Sequence, residues 1–489
     1  MRRIPWHSLG ASVRIGLAAF LSAAALAQAA PPRLDAAKLV ARFRAWDAAR
    51  NHGLGASGSA DSGVLGWREA GILRGYADLW EATRDPYWLG KIDDQFGRII
   101  TRAAPDGWGF LQWTTADFGV GLFCAEPLHN MGSATISPEQ HREFSAHRIR
   151  LITGASYIVE FTGPEAYRVE DLTRHEWLAT GQVYLPGGRI ASIPGCTVAI
   201  SGQAHAGDEF LVRTTAPKQE PFVVHEGMLG YPVAVFIAAV KADPALQPRF
   251  GADADRFLAF INRNFVEKWE PYWIDLGRGA GAYRFPPIIT DRYPNRVLPH
   301  NQYLAMARVY VVLEHVPGAD PLMAVRARGM ALNFRRNLHR SGTGWRWNYW
   351  DWIEGGRRDV GDTARGDFSQ AHREDSGHGT IDVGFALEAW RHGVVFTRAD
   401  IRRFAATYLD AMWNGSNENP RLGTDVVTRG DRFSALLGDW VDLCQVDPRI
   451  YFLALTAFLR EGEPTFKIPM ILAAERELST ADFLSLRHY

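Results

Sequence analysis

Apolar residues in this chain gather in runs of helical length, and the runs come in pairs. Residues 66–102 (GWREAGILRGYADLWEATRDPYWLGKIDDQFGRIITR), 227–265 (GMLGYPVAVFIAAVKADPALQPRFGADADRFLAFINRNF) and 301–338 (NQYLAMARVYVVLEHVPGADPLMAVRARGMALNFRRNL) share one layout. A small-residue-rich segment, apolar almost all round, is followed by a turn carrying Asp-Pro and then by a segment with one apolar stripe. A helix apolar on every side is buried on every side, whereas a striped one lies outside. The pairs Asp85-Pro86, Asp243-Pro244 and Asp320-Pro321 predict where the second helix starts. Asp accepts from orphan helix N–H groups, and Pro at the first helical position loses nothing by lacking one.

Residues 149–215 break this period. SYIVEF, GQVYLP, CTVAIS and EFLVR are short β-branched or aromatic runs between Gly, Pro and Asp turns, which predicts a β-rich insert of about 149–215. A loop-rich stretch over 341–380 holds GWRWNYWDWIEGGRRD and HREDSGHG, and helical periodicity resumes with IDVGFALEAWRHG. Paired helices repeating along most of a chain predict a helical array. The fold class expected is mainly α: an α/α toroid, an incomplete or closed barrel of helical hairpins, with a small β-rich insert. An open solenoid serving as a protein-binding scaffold is the alternative.

The first residues add an address. Arg2, Arg3 and Arg14 precede or flank an apolar run from about Ile15 to Ala27, and Ala27-Gln28-Ala29 fits a small-residue cleavage site. That pattern predicts a signal peptide over 1–29, too short for a spanning helix, and one catalytic domain over 30–489 in the periplasm or outside the cell. No later segment reads as a membrane span. Lys plus Arg and Asp plus Glu number 54 each, so nucleic acid is not an expected partner. Cys124, Cys196 and Cys444 are too few for a disulfide framework, although one bridge could form.

Candidate chemistry lies where polar residues open apolar helices. His225, at a predicted helix start, is placed to stay neutral and accept a proton, because a helix N-terminus disfavours imidazolium. His300, Asn301, Gln302 and Tyr303 precede a fully apolar run and are expected to cap it or to face a cleft. In WRWNYWDW, alternation puts Trp345, Trp347 and Tyr349 on one strand face, as a stacking platform or a buried plug. Glu374, Asp375 and His378 stand before another apolar helix as a cap, a catalytic pair or a metal corner. In GRGAGAYRFPP, Arg278 and Arg284 flank Tyr283, an arrangement that would stabilise phenolate on pliant chain. Asn130 sits in a further loop. No Walker loop, Rossmann fingerprint or HExxH pattern occurs, and no cofactor and no metal is expected.

Several stretches resemble exported polysaccharide lyases with α/α-toroid folds, most of all polysaccharide lyase family 38, whose members cut alginate and glucuronan. They are GWREAGILRGYADLWEATRDPYWL, FVVHEGMLGYPV, GAYRFPP, LPHNQYLAMARVYVVLE, WRWNYW and EDSGHGTIDVGFALEAW, spread over residues 60–395. The resemblance implies β-elimination on an acidic polysaccharide, with His225 and Tyr283 as the proton-transfer pair. Arg278, Arg296, Asn130 and Asn301 are then candidates to neutralise the uronate carboxylate. Substrate contacts would come from Arg296, His300, Asn301, Tyr303, Trp347, Tyr349, Glu374 and His378.

Other readings remain open on the sequence alone. A glycoside hydrolase would draw two carboxylates from Asp61, Glu69, Asp351, Glu374 and Asp382. A uronate C5-epimerase would use the same first proton abstraction. A non-enzymatic carbohydrate-binding or scaffold protein would show aromatic surfaces without a converging His, Tyr and Arg.

Overall fold

The computed structural model describes residues 33–116, 119–136, 141–143, 151–287, 293–351 and 373–486. The expected leader over 1–29 and Trp352, the last residue of WRWNYWDW, lie outside the described residues. Helix makes up 46% of the structure and strand 20%, the strands being spread over several sheets. The expectation of a mainly α toroid is thus corrected: the fold is mixed α and β.

The main helices, in chain order, are α1 (Ala36–Ala49), α2 (Ala70–Thr83), α3 (Pro86–Ile100), α4 (Val223–Ala242), α5 (Gln247–Ile261), α6 (His300–Leu313), α7 (Leu322–Asn337), α8 (Gly379–Arg391), α9 (Arg398–Ala406), α10 (Arg449–Arg460) and α11 (Ile468–Arg476). Each repeated stretch forms a helical hairpin: α2 packs on α3, α4 on α5 and α6 on α7, while α4 and α6 lie against each other. The Asp-Pro turns differ in detail. Asp85 caps α3, its carboxylate accepting from Tyr87 N at 2.9 Å. Asp320 accepts from Leu322 N at 2.8 Å, with Pro321 between it and the helix. Asp243 instead accepts from Ala245 N, and α5 starts only at Gln247, after a further turn.

Helix α4 reads apolar all round, and its core-facing residues run from Val223 to Val240. By length and composition it could cross a bilayer; 78% of its most apolar window is buried inside the protein. It belongs to one large apolar core that takes in every helix from α1 to α11.

A second apolar core sits in the sheets. Strands β1 (Gly121–His129), β2 (His141–Glu143), β3 (Ser156–Gly163), β4 (Ala166–Asp171), β5 (Glu176–Val183) and β6 (Glu209–Thr215) form an antiparallel sheet ordered β2-β1-β6-β3-β4-β5. Burial alternates along β3, with Tyr157, Val159 and Phe161 inward, as expected for a sheet with one face on a core. The sheet recruits β1 and β2, which precede residue 149, so strand structure begins earlier than the composition suggested. Cys124, Cys196 and Cys444 form no disulfide.

Candidate functional site

The site is built where the first turns of α4, α6 and α8 meet the segment Ser62–Glu69. That segment widens into a π turn over Leu65–Glu69, and Trp67 stands out of it, 39% exposed. The close approach is made by glycine. A Cβ on Gly66 would lie 2.7 Å from His225 Cα, and one on Gly227 would lie 2.4 Å from Met306 N. Any larger residue would push α4 off both neighbours.

His225 is buried, and its Nδ1 lies 3.0 Å from the Ser62 hydroxyl. The ring meets Trp67 edge-on at 5.6 Å and Phe222 at 5.2 Å. Trp67 in turn meets His378 at 6.2 Å, and His378 meets Tyr349 at 5.5 Å. Burial pushes the pKa of the Tyr349 phenol up. Four residues from separate parts of the chain therefore form one continuous wall: His225, Trp67, His378 and Tyr349.

Residues next along the same elements line a cavity of about 200 Å³. Its walls are Gly71, Met228, Ala305, Ile381, Met470 and the exposed Phe466, and its floor is Arg74, Asp78, Tyr231, Arg308, Asp439 and Asp442. The floor is a buried ion network. Arg74 pairs with Asp78, with Asp439 at 2.9 Å and with Asp442 at 3.2 Å. Arg308 also pairs with Asp439, at 2.8 Å. Burial outweighs the guanidinium at Asp442, pushing its carboxyl up to about 7, and at Asp78, pushed up to about 6. Asp439 is also desolvated, but two guanidiniums together win there and hold it down to about 2. Sequence reasoning missed this floor, because its arginines sit inside otherwise apolar helices and Asp439 and Asp442 lie far along the chain from Arg74.

Other expected site residues go elsewhere. Tyr283 ends a hairpin strand, β8 (Ala280–Tyr283), paired with β7 (Trp273–Gly277). It is fully buried, its hydroxyl 3.1 Å from that of Tyr310, and burial raises its pKa. The expectation of a guanidinium-lowered phenol on a pliant loop is corrected by that burial. Arg278 is exposed at the hairpin turn with φ +55°, and Asn130 is exposed beyond β1, donating to Ala134 O at 2.6 Å. Arg296 lies over Trp350, 5.3 Å from the ring.

His300 is fully buried at the start of α6, its Nδ1 2.6 Å from the Tyr303 hydroxyl, and burial lowers its pKa to about 4. Tyr303 also accepts from Asn333 at 3.1 Å, and Asn301 is buried beside it in the sequence. Trp347 is a buried plug between Phe334, Phe404 and Trp440, its indole donating to Asp382 at 2.8 Å. Glu374 is fully buried, and His378 bonds to Asp375. Three of the carboxylates considered for hydrolysis are used in the fold. Asp61 accepts from Val64 N, Glu69 from Ala56 N, and Asp351 pairs with Arg336.

No family model matches the chain, and no curated protein matches it. Among solved structures, Xanthomonas campestris FlgL is similar at 15% identity and TM-score 0.16, covering 47% of this chain and 86% of that one. The flagellar junction protein FlgL from Legionella pneumophila is similar at 15% identity and TM-score 0.15, covering 46% and 86%. Likeness at that level carries no argument about fold or role. These structures are flagellar proteins and not lyases, so the resemblance to polysaccharide lyase family 38 gains nothing from them. The readings as an enzyme of that kind, with an acidic polysaccharide as substrate and a periplasmic or secreted address, are set aside.

Proposed function

We propose that the protein is a non-catalytic binding scaffold that holds a small, single-ring, amphipathic ligand in the cavity beside Trp67 and His225. The cavity volume carries the reading. At about 200 Å³ it is somewhat larger than an apolar cavity that takes up benzene, which is about 150 Å³. Met228, Ala305, Ile381 and Met470 offer the ring an apolar surface. The charged floor residues are already engaged with one another, which leaves them to fix the helices and not to move protons. Its carboxylates outnumber its guanidiniums, so an anionic ligand is disfavoured there.

Calorimetric titration with phenol, cyclohexanol and benzylamine tests this, with benzoate as the anionic control. At least one of the first three binds saturably, and benzoate binds more weakly. Gly71 lines the cavity from an exposed position, with nothing within 4 Å of an added Cβ. Gly71→Leu therefore adds bulk at the cavity with no clash at Cβ, and is expected to abolish binding. Absence of binding by all three, or equal binding by the variant, refutes the reading.

A further inference from the structure

We infer that Glu374, Asp375 and His378, with Asp382 behind them, form a binding site for one divalent transition-metal cation of the Zn²⁺ or Mn²⁺ class. One donor atom from each of Glu374, Asp375 and His378 lies within 4.8 Å of the others. Donors around a single Zn²⁺ at bonds of about 2.0–2.2 Å stand roughly 3–4 Å apart, so a small contraction closes the shell.

A second observation points to a ligand. Glu374 Oε1 accepts from Asp375 N at 3.1 Å and Asp382 Oδ2 from the Trp347 indole at 2.8 Å. Glu374 Oε2 and Asp382 Oδ1 have no hydrogen-bond donor among the described residues, and both residues are fully buried. Their carboxyl groups meet each other. Two carboxylates pressed together without a donor are costly unless a proton or a cation lies between them.

The chain delivers the donors on a short, fixed path. Glu374 N donates to Trp347 O and Val426 N to Glu374 O, which pins that residue on two sides. Asp375 Oδ1 accepts from the N–H groups of Gly377 and His378, so the turn into α8 holds His378 against Asp375. Trp347 orients Asp382, as an outer hydrogen bond orients a metal ligand. The side chains of Asp375 and His378 are 45% and 40% exposed, which leaves a route for an ion. A mixed set of carboxylate oxygens and one imidazole suits Zn²⁺ or Mn²⁺, whereas Ca²⁺ and Mg²⁺ prefer oxygen alone. The sequence reading weighed a metal corner here and settled on none; the inward carboxyl pair reverses that choice.

The test uses the full, tag-free chain, stripped with chelator and titrated with Zn²⁺, Mn²⁺ and Ca²⁺ by calorimetry and thermal unfolding. Zn²⁺ or Mn²⁺ binds one per chain and raises Tm by about 2–4 °C at saturation. His378→Ala and Asp375→Asn weaken binding by roughly 10–100-fold. Both positions are part-exposed, and circular dichroism verifies folding of each variant. Glu374→Gln abolishes the shift in Tm. No binding of either transition metal, binding of Ca²⁺ alone, or unchanged affinity in the folded His378 and Asp375 variants overturns the inference.

Discussion

Nδ1 of His225 lies 3.0 Å from the hydroxyl of Ser62, across a contact that only Gly66 makes possible. A Cβ on Gly66 would meet both Cα and Cβ of His225 at 2.7 Å, and backbone there cannot yield cheaply. Gly66→Ala should cost about 1–3 kcal/mol by overpacking. Urea unfolding measures the loss, and the same variant should weaken ligand binding by shifting α4 beside the cavity.

Tyr283→Phe separates a structural phenol from a reactive one. The substitution removes one hydrogen bond to Tyr310, which keeps its bond to Phe265 O at 2.7 Å. A stability loss of about 0.5–1.5 kcal/mol is expected, with ligand affinity unchanged. A large loss of binding with little loss of stability would place Tyr283 at the site after all.

Arg74 is the centre of the cavity floor. Arg74→Met would leave Asp78, Asp439 and Asp442 with one guanidinium fewer in a buried setting. Removing one partner from a buried ion group costs about 3–5 kcal/mol. Double-mutant cycles with Asp442→Asn should show strong coupling, since the neutral amide no longer needs the guanidinium.

Stability should depend on pH in a direction the floor sets. Asp442 and Asp78 are pushed up to about 7 and about 6, mainly by burial. A carboxyl raised in the folded state stabilises at low pH, and that contribution is lost as pH rises through the folded value. Asp439, held near 2, has its opposite contribution complete before pH 5. Tm should therefore fall between about pH 5 and about pH 7 and level off above that. Arg74, Asp439, Arg391 and Asp78 all act on Asp442, so Asp442→Asn should flatten the slope only in part.

Helical hairpins were legible because their period is local. The all-round apolar run of α4, the cap at Asp85 and the strands SYIVEF and EFLVR follow from neighbours a few residues away. The overall architecture was not, because β1 and β2 alternate too weakly to register as part of the sheet. Nearby residues in the sequence also misled. Arg278 and Arg284 flank Tyr283 along the chain, yet in a strand hairpin the phenol turns inward to Tyr310. His225 and His378 each showed as a polar group opening an apolar helix. Their contact through Trp67 joins residues more than 150 positions apart, which no local pattern encodes. The ion network was equally hidden: Arg74 meets Asp439 across 365 positions.

Saturation-transfer NMR on phenol and cyclohexanol, followed for a day with wild type and Gly71→Leu, tests the binding scaffold most directly. Wild type should transfer magnetisation to at least one ring ligand, the variant should not, and the ligand spectrum should stay unchanged. Equal transfer in both proteins, none in wild type, or new product resonances that require the protein would contradict the account.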